Sequence, residues 1–356
     1  MTAFNQSGVK SFRRCQKQYA FRHDYAQEGL ELVRRAPKLT LHRGSWMHAL
    51  QQAHHRQWAG LPDDWEETHE QWTARFNRLF DEEKDELGDL PAECERLFNT
   101  YLRRWREDYD TYKVARLHDG SPGVEFVVEV PLEKWGLQSP FKGRIDLLVK
   151  DREYGGLWIW DHKWVRGIPD IDERMMSPQA LMYAWALRRQ GYQIKGFVYN
   201  YGRTKPPTIP HPVYGGRQLS TAKKIDTTFD VYVQAIKDLH GDHWKFYAKG
   251  MYRDMLIRLK HREQLWFRRE RVPVETERIR QALREFIVTA RQIERRPNRT
   301  VAPRTYLYTC PRHCDYHDLC VAEFQGLDIA PLIRQRYDFV PERYDADAET
   351  TDLLVA

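Results

Sequence analysis

Residues 124–165 read VEFVVEVPLEKWGLQSPFKGRIDLLVKDREYGGLWIWDHKWV, and this stretch decides the fold. Three β-branched and aromatic segments, VEFVVEVPL, KGRIDLLVK and GLWIWDHK, are separated by Gly, Pro and charged residues, which predicts three successive strands. Beyond them Pro178–Arg189 is helical in pattern, with Leu181, Trp185 and Arg188 stepping along it, and GFVYNY (196–201) predicts a fourth strand. The order β, β, β, α, β predicts an α/β class. Upstream, Trp46, Leu50 and Ala53 recur at helical spacing within Leu41–Trp58, a polar helical stretch runs from about Trp65 to Asp85, and Leu97–Tyr109 continues the helical region. Downstream, GRTKPPTIPHPVYGGRQLSTAKK (202–224) reads as a loop, helices are predicted at Phe229–Leu239 and Glu275–Arg295, and the polar, acidic residues after about Val340 are expected to fray.

With 356 residues, 41% hydrophobic, and 12 Trp, 19 Tyr and 15 Phe, the chain can bury a substantial core as one large domain or two modest ones. No apolar run approaches the roughly 20 residues that cross a bilayer, and MTAFNQSGVKSFRRC lacks the hydrophobic stretch of a signal peptide. A soluble, cytoplasmic protein with no membrane partner is expected. The net charge of +6, from 57 basic and 51 acidic residues, permits a nucleic-acid partner without requiring one. Cysteines number five, and in a reducing compartment thiolate ligation is a better default for the clustered Cys310, Cys314 and Cys320 than disulfides.

Chemistry concentrates in two places. Asp146 ends the GRID turn of its strand, while Asp161 and Lys163 lie two apart on the next and share a face. Two carboxylates and an ammonium on neighbouring strands suit Mg²⁺ or Mn²⁺, which activates water and neutralises charge building on a phosphate; the lysine would orient that water or help deprotonate it. Taken alone, Asp-x-Lys is also the pattern of a strand-end salt bridge. At the other place, three thiolates need a fourth, and Cys15 can supply it only if the two ends of the chain meet. The spacing departs from paired Cys-x-x-Cys repeats, although His313 and His317 inside the loop keep zinc as a minor alternative. Cys94, in PAECERLF, reads as a buried thiol. The loop 202–224, the RRCQKQYAFRH helix and LKHREQLWFRRERV combine Arg and Lys with aromatic rings, as phosphate contacts and base stacking require; the bland alternative is solvated helix faces. Arg14 and Arg22, at i and i+8, can share one face of a helix.

The order of these motifs resembles the PD-(D/E)xK nuclease superfamily, and in particular its RecB-like branch. SFRRCQKQYAFRHDY is similar to that branch's N-terminal segment, and RGSWMHAL to its Gly-x-x-x-His helix, which nominates His48 for the metal site. FKGRIDLLV supplies Asp146, and WIWDHKW supplies Asp161 and Lys163, with Asp where many relatives carry Glu. SPQALMYAWAL matches the Gln-x-x-x-Tyr helix, so the resemblance implies that Gln179 and Tyr183 border the site and contact DNA. It also implies that the backbone carbonyl of His162 faces the metal.

The implied fold is a restriction-endonuclease-like core, a central mixed sheet flanked by helices, with helical N- and C-terminal elaborations. A [4Fe-4S] cluster on Cys15, Cys310, Cys314 and Cys320 would join them in a structural role, as in RecB-like exonucleases of CRISPR adaptation systems, helicase–nucleases and phages. The implied activity is Mg²⁺- or Mn²⁺-dependent hydrolysis of DNA by in-line attack of water. The enzyme would be an exonuclease on single-stranded ends with 5′ to 3′ polarity, in recombination, repair or phage DNA processing, with a recombination, helicase or CRISPR-adaptation partner, in a bacterial cell or phage-infected host. The expected organisation is one domain over residues 1–340, helical to 115, catalytic over 120–205, helical and cysteine-bearing over 225–330, followed by a polar tail at 341–356. Two alternatives are a non-catalytic DNA-binding subunit and a redox or radical cluster enzyme. The first is disfavoured by the joint presence of His48, Asp146, Asp161 and Lys163, and the second by four available cysteines and the lack of a glycine-rich nucleotide fingerprint. Nothing in the residues argues for a particular oligomeric state.

Overall fold

The apolar runs fold where their periodicity places them. In the computed structural model, which describes residues 3–25, 30–35, 39–79, 81–169, 177–262, 265–296 and 301–341, the N-terminal part holds α1 (Gln6–Arg14), α2 (Gln16–His23), β1 (Leu30–Arg34), α3 (Leu39–Trp58), α4 (Trp65–Asn77), α5 (Asp81–Leu87), α6 (Leu90–Arg104) and α7 (Asp108–Thr111). The centre holds β2 (Tyr112–Val114), β3 (Val124–Val130), β4 (Phe141–Asp151), β5 (Leu157–Val165), α8 (Pro178–Arg189) and β6 (Ile194–Arg203). After β7 (Pro212–Val213), β8 (Gln218–Leu219), α9 (Phe229–His240), α10 (Trp244–Lys249) and α11 (Arg253–His261) comes β9 (Phe267–Pro273). The chain then runs through α12 (Thr276–Arg295), α13 (Cys310–His313), α14 (His317–Phe324) and α15 (Ala330–Arg336) to β10 (Tyr337–Pro341).

One six-stranded sheet organises the molecule, in the order β2-β4-β5-β6-β9 with β3 also on β4. Only β5 and β6 pair in parallel, and α8 is the crossover that a parallel pair needs. The other pairs are antiparallel. Alternation along the strands feeds two layers. Phe141, Ile145, Ile159 and Phe197 pack with Met182 and Leu187 of α8 and Phe286 of α12. On the other side, Trp164 and Phe267 join Trp46, Leu50, Leu97 and Phe98 of α3 and α6. The mixed sheet flanked by helices is the core that the motif order implied.

Four local expectations differ. The stretch 202–224, read as a loop, carries the end of β6 and the short β7–β8 hairpin, in which Pro212 pairs with Leu219 and Val213 with Gln218 across the Gly215–Gly216 turn. The stretch 65–85 is two helices, because the break after Asn77 lets Trp72 and Phe76, and then Leu87, all reach the α3–α6 core. The helix expected over RRCQKQYAFRH is broken at Cys15, which is extended (φ −162°, ψ 114°). Arg14 and Arg22 therefore share no helix face, and Arg22 instead bonds Glu31 at 2.5 and 2.9 Å. The arginines of FRRERV lie on β9 with internal partners: Arg268 with Glu270 (2.6 Å), Arg269 with Asp108 (2.5 and 2.6 Å) and Arg271 with Asp151 (2.9 Å). They stabilise the sheet edge rather than offering a free basic surface.

The N- and C-terminal parts meet. β1 pairs antiparallel with β10, α1 packs on α12, and Phe21 and Leu32 join Tyr316, Leu319 and Tyr337 in a small core. Lys17, 1% exposed, pairs with Glu323 at 2.6 Å, and Arg304 and Tyr25 bond the same carboxylate. The polar tail expected after residue 340 falls almost wholly outside the described residues. Among the described residues no helix is long and apolar enough to cross a membrane.

Candidate active site

The two aspartates stand where the sheet forks. β4 and β5 pair from Lys150–Leu157 to Leu147–Trp160 and no further. The next residues along each strand are Asp146 and Asp161. Asp146 thus lies in the middle of β4 rather than at the turn expected of GRID. The amide of His162 leaves the β4 ladder and donates to Asp146 Oδ2 at 2.7 Å. Asp161, 3% exposed, accepts at Oδ1 from Lys163 Nζ (2.9 Å) and Gln179 Nε2 (3.3 Å), and Nζ also lies 2.8 Å from Oδ2. Gln179 opens α8 and Tyr183 follows one turn later on the same face, where Gln179 Nε2 also donates to the Tyr183 hydroxyl at 3.3 Å. The glycine of GRID has a packing reason. A Cβ at Gly143 would stand 2.6 Å from Tyr183 Cε1, so strand and helix approach this closely only without a side chain there.

Burial sets the charges of this fork. It pushes the Asp146 and Asp161 carboxyls above their ordinary range, against the pull of Lys163. Burial alone would lower the Lys163 ammonium, but Asp161 and Asp146 outweigh it and hold the group above its usual value. A third carboxylate joins them that the sequence did not single out. Val124 pairs with Leu147 and Phe126 with Ile145, which sets Glu125 across from Asp146, and its backbone is left-handed (φ +49°). Burial first, then Asp146 and Asp161, raise the Glu125 carboxyl well above normal, opposed by Arg144 and Lys163. Non-glycine residues held in this conformation store about 1–3 kcal/mol and cluster at functional sites. Its only trace in the sequence is an acidic residue inside an apolar strand run.

His48 stands on α3 near β5. Its ring is 6.4 Å from that of His162, and its charge is felt at Asp161. The His162 side chain points away from the carboxylates. It stacks on His55 (4.8 Å, 15°) and accepts at Nδ1 from Asn200 Nδ2 at 2.9 Å. Asn200 in turn donates to the Tyr101 hydroxyl (2.7 Å) and accepts from Arg269 Nε (3.1 Å). Burial keeps both histidines far below the usual imidazole range, so they brace the back of β5 as neutral rings.

A family model for the PD-(D/E)XK nuclease superfamily matches residues 3–321. The chain belongs to the PD-(D/E)XK nuclease superfamily. No curated protein matches it. Superfamily members are nucleases, commonly dependent on Mg²⁺ or Mn²⁺, and membership points to metal-dependent nuclease chemistry with DNA as the implied substrate class.

The donors at the fork, carboxylates and an imidazole, are of the type hard divalent cations take. Among the described residues, no three His, Cys, Asp or Glu side chains close on a single-ion position. At the fork the Lys163 ammonium lies against both oxygens of Asp161 and neutralises them itself.

The superfamily match extends across a second feature. Cys15, Cys310, Cys314 and Cys320 line one cavity of about 160 Å³ between the N- and C-terminal parts, together with Phe21, Tyr316 and His317. The amide of Thr305 donates to Cys15 Sγ (3.5 Å) and that of Leu307 to Cys310 Sγ (3.4 Å). Burial raises the Cys314 thiol, and the other three cysteines add to that against a bond from the Tyr316 amide. Among the described residues these four cysteines do not close on a ready-made metal position. Cys94 is apart, fully buried in the α3–α6 core with its thiol raised by burial.

Proposed function

We propose that this chain is a Mg²⁺- or Mn²⁺-dependent DNA exonuclease of the RecB-like branch, acting on single-stranded ends with 5′ to 3′ polarity in recombination, repair or phage DNA processing. The observation that carries the reading is the fork, where the strand ladder stops one residue before both aspartates, with Lys163 on Asp161 and Glu125 across from Asp146. Asp146, Asp161, His48 and the His162 carbonyl would hold the cation, which when bound supplies positive charge to the phosphate and activates water. Lys163, held protonated by its two aspartates, orients the attacking water and stabilises charge on the phosphate rather than abstracting a proton. Gln179 fixes Asp161 Oδ1, and the His162 amide fixes Asp146. Polarity, strand preference and pathway rest on the likeness of the motifs to the RecB-like branch. The same reading takes residues 1–340 as one domain.

Lys163→Ala tests the site. Cleavage should vanish while DNA binding is kept; cleavage at the parent's rate would overturn the assignment. The reading also includes a structural [4Fe-4S] cluster on Cys15, Cys310, Cys314 and Cys320, supported by four thiols around one cavity and two amide donors aimed at sulfur. Protein purified anaerobically should be brown, and Cys314→Ala should be colourless and less stable. An equally stable, equally coloured variant would remove the cluster from the reading.

A further inference from the structure

The charge of this chain is unevenly placed. Residues 202–266, from the last two residues of β6 to the start of β9, carry 12 Lys and Arg against six Asp and Glu, an excess of six that equals the net charge of the whole chain. The remaining residues hold 45 of each sign. This segment interrupts an antiparallel pair, since Gly202 of β6 pairs with Phe267 of β9. The parallel register of β5 and β6 sets Tyr201 beside Lys163 and ends at Val165–Arg203, so the chain leaves the sheet two residues beyond the catalytic register. It emerges at the end of the sheet where the fork opens.

The insertion is built to hold its position. Arg203 bonds both oxygens of Asp226 (2.9 and 3.1 Å) and lies over Trp266 at 4.3 Å, and Lys205 bonds Asp226 at 2.8 Å. Leu219, Tyr232, Ile236, Tyr252, Met255 and Leu259 form its own core. Arg103 of α6 pairs with Asp230 of α9 at 3.3 Å, and α6 packs on α3, which carries His48. The remaining charge points outward. Arg217, Lys223, Lys224, Lys249, Arg253 and Lys260 are exposed and, among the described residues, have no ion-pair partner. In the same insertion Tyr214 and Phe246 are 78% and 77% exposed, Tyr214 at the tip of the β7–β8 hairpin. Cations without ion-pair partners and exposed aromatic rings on one element are what a flexible, singly stranded polyanion with stackable bases requires.

We propose that the insertion 202–266 is the element that holds the single-stranded DNA substrate by its phosphates and feeds it to the fork, with the Tyr214–Arg217 tip and Lys223 and Lys224 as its principal contacts. This rests on the nuclease reading above. A protein partner with an acidic surface is the competing occupant.

The test compares the full-length parent with Arg217→Glu/Lys223→Glu/Lys224→Glu, using a fluorescein-labelled oligothymidylate in EDTA and following anisotropy as KCl is varied. Each lost phosphate contact lowers the slope of log K against log salt by about 0.7 for a single strand, so the slope should fall by about 2 and affinity by tenfold or more. On metal addition KM should rise with kcat retained at saturation, which misfolding would not produce; Lys→Gln and Arg→Gln versions, with unchanged circular dichroism, should weaken binding to an intermediate degree. Unchanged affinity and slope in the variant, with Asp146-dependent cleavage intact in the parent, would overturn the inference and leave the nuclease standing, favouring the protein partner. A parent that neither binds nor cleaves DNA would overturn both.

Discussion

Gly143→Ala tests how strand and helix meet at the site. The added Cβ would lie 2.6 Å from Cε1 and 3.1 Å from Cδ1 of Tyr183. Carbon atoms sit comfortably at about 3.5–4.0 Å, so the ring must retreat by about 1 Å. Tyr183 is 6% exposed and packed in the α8 core, which leaves an off-rotamer ring or a displaced helix. Overpacking of this kind costs about 1–3 kcal/mol. Movement at Tyr183 passes to Gln179, which bonds both its hydroxyl and Asp161 at 3.3 Å. A misplacement of about 1 Å near reacting groups costs on the order of 100-fold in rate. Urea unfolding should therefore show a loss of about 1–3 kcal/mol, and cleavage should fall by 10- to 100-fold. Adding Tyr183→Ala removes the clash, so the double variant should be no less stable than Tyr183→Ala alone. A Gly143→Ala protein within about 0.5 kcal/mol of the parent and fully active would refute the close approach of β4 and α8.

Two further outcomes follow from buried and strained groups. Glu125→Gly should abolish or sharply reduce cleavage while raising stability by about 1 kcal/mol, because glycine accepts φ +49° without strain; a variant that loses both would show the backbone is not strained. His23, 4% exposed, is held down to about 4 by burial, against the pull of Glu31 3.7 Å away. Between pH 6.5 and 4 the unfolded chain binds this proton and the folded chain does not. The contribution is therefore full above pH 6.5 and lost on acidification through that window, by about 3 kcal/mol. The urea midpoint of the parent should fall more steeply from pH 7 to pH 4.5 than that of His23→Phe, and parallel slopes would contradict the burial argument.

The sheet and the carboxylate pair were legible because both follow from local period: alternation in VEFVVEV, KGRIDLLVK and LWIWDHK fixes strands, and a spacing of two puts Asp161 and Lys163 on one face. The fork was not legible, since where β4 and β5 stop pairing depends on partners far apart in the chain. Glu125 escaped for the same reason, as its importance lies in a backbone conformation and in the strand opposite. Arginine composition misled at FRRERV, because a count of charges does not say that Asp108 and Asp151 stand waiting across the sheet edge. The break at Cys15 was hidden too: the sequence there is helix-compatible on both sides, and only the docking of α2 on the C-terminal part, with Lys17 on Glu323, requires the turn.

The most direct test of the catalytic fork is an anaerobic cleavage assay on end-labelled single- and double-stranded DNA with Mg²⁺ or Mn²⁺, with Asp146→Ala beside the parent. The account predicts metal-dependent shortening of labelled single strands by the parent, abolished by EDTA and absent in the variant. No cleavage by folded parent on any DNA, or equal cleavage by Asp146→Ala, would contradict it.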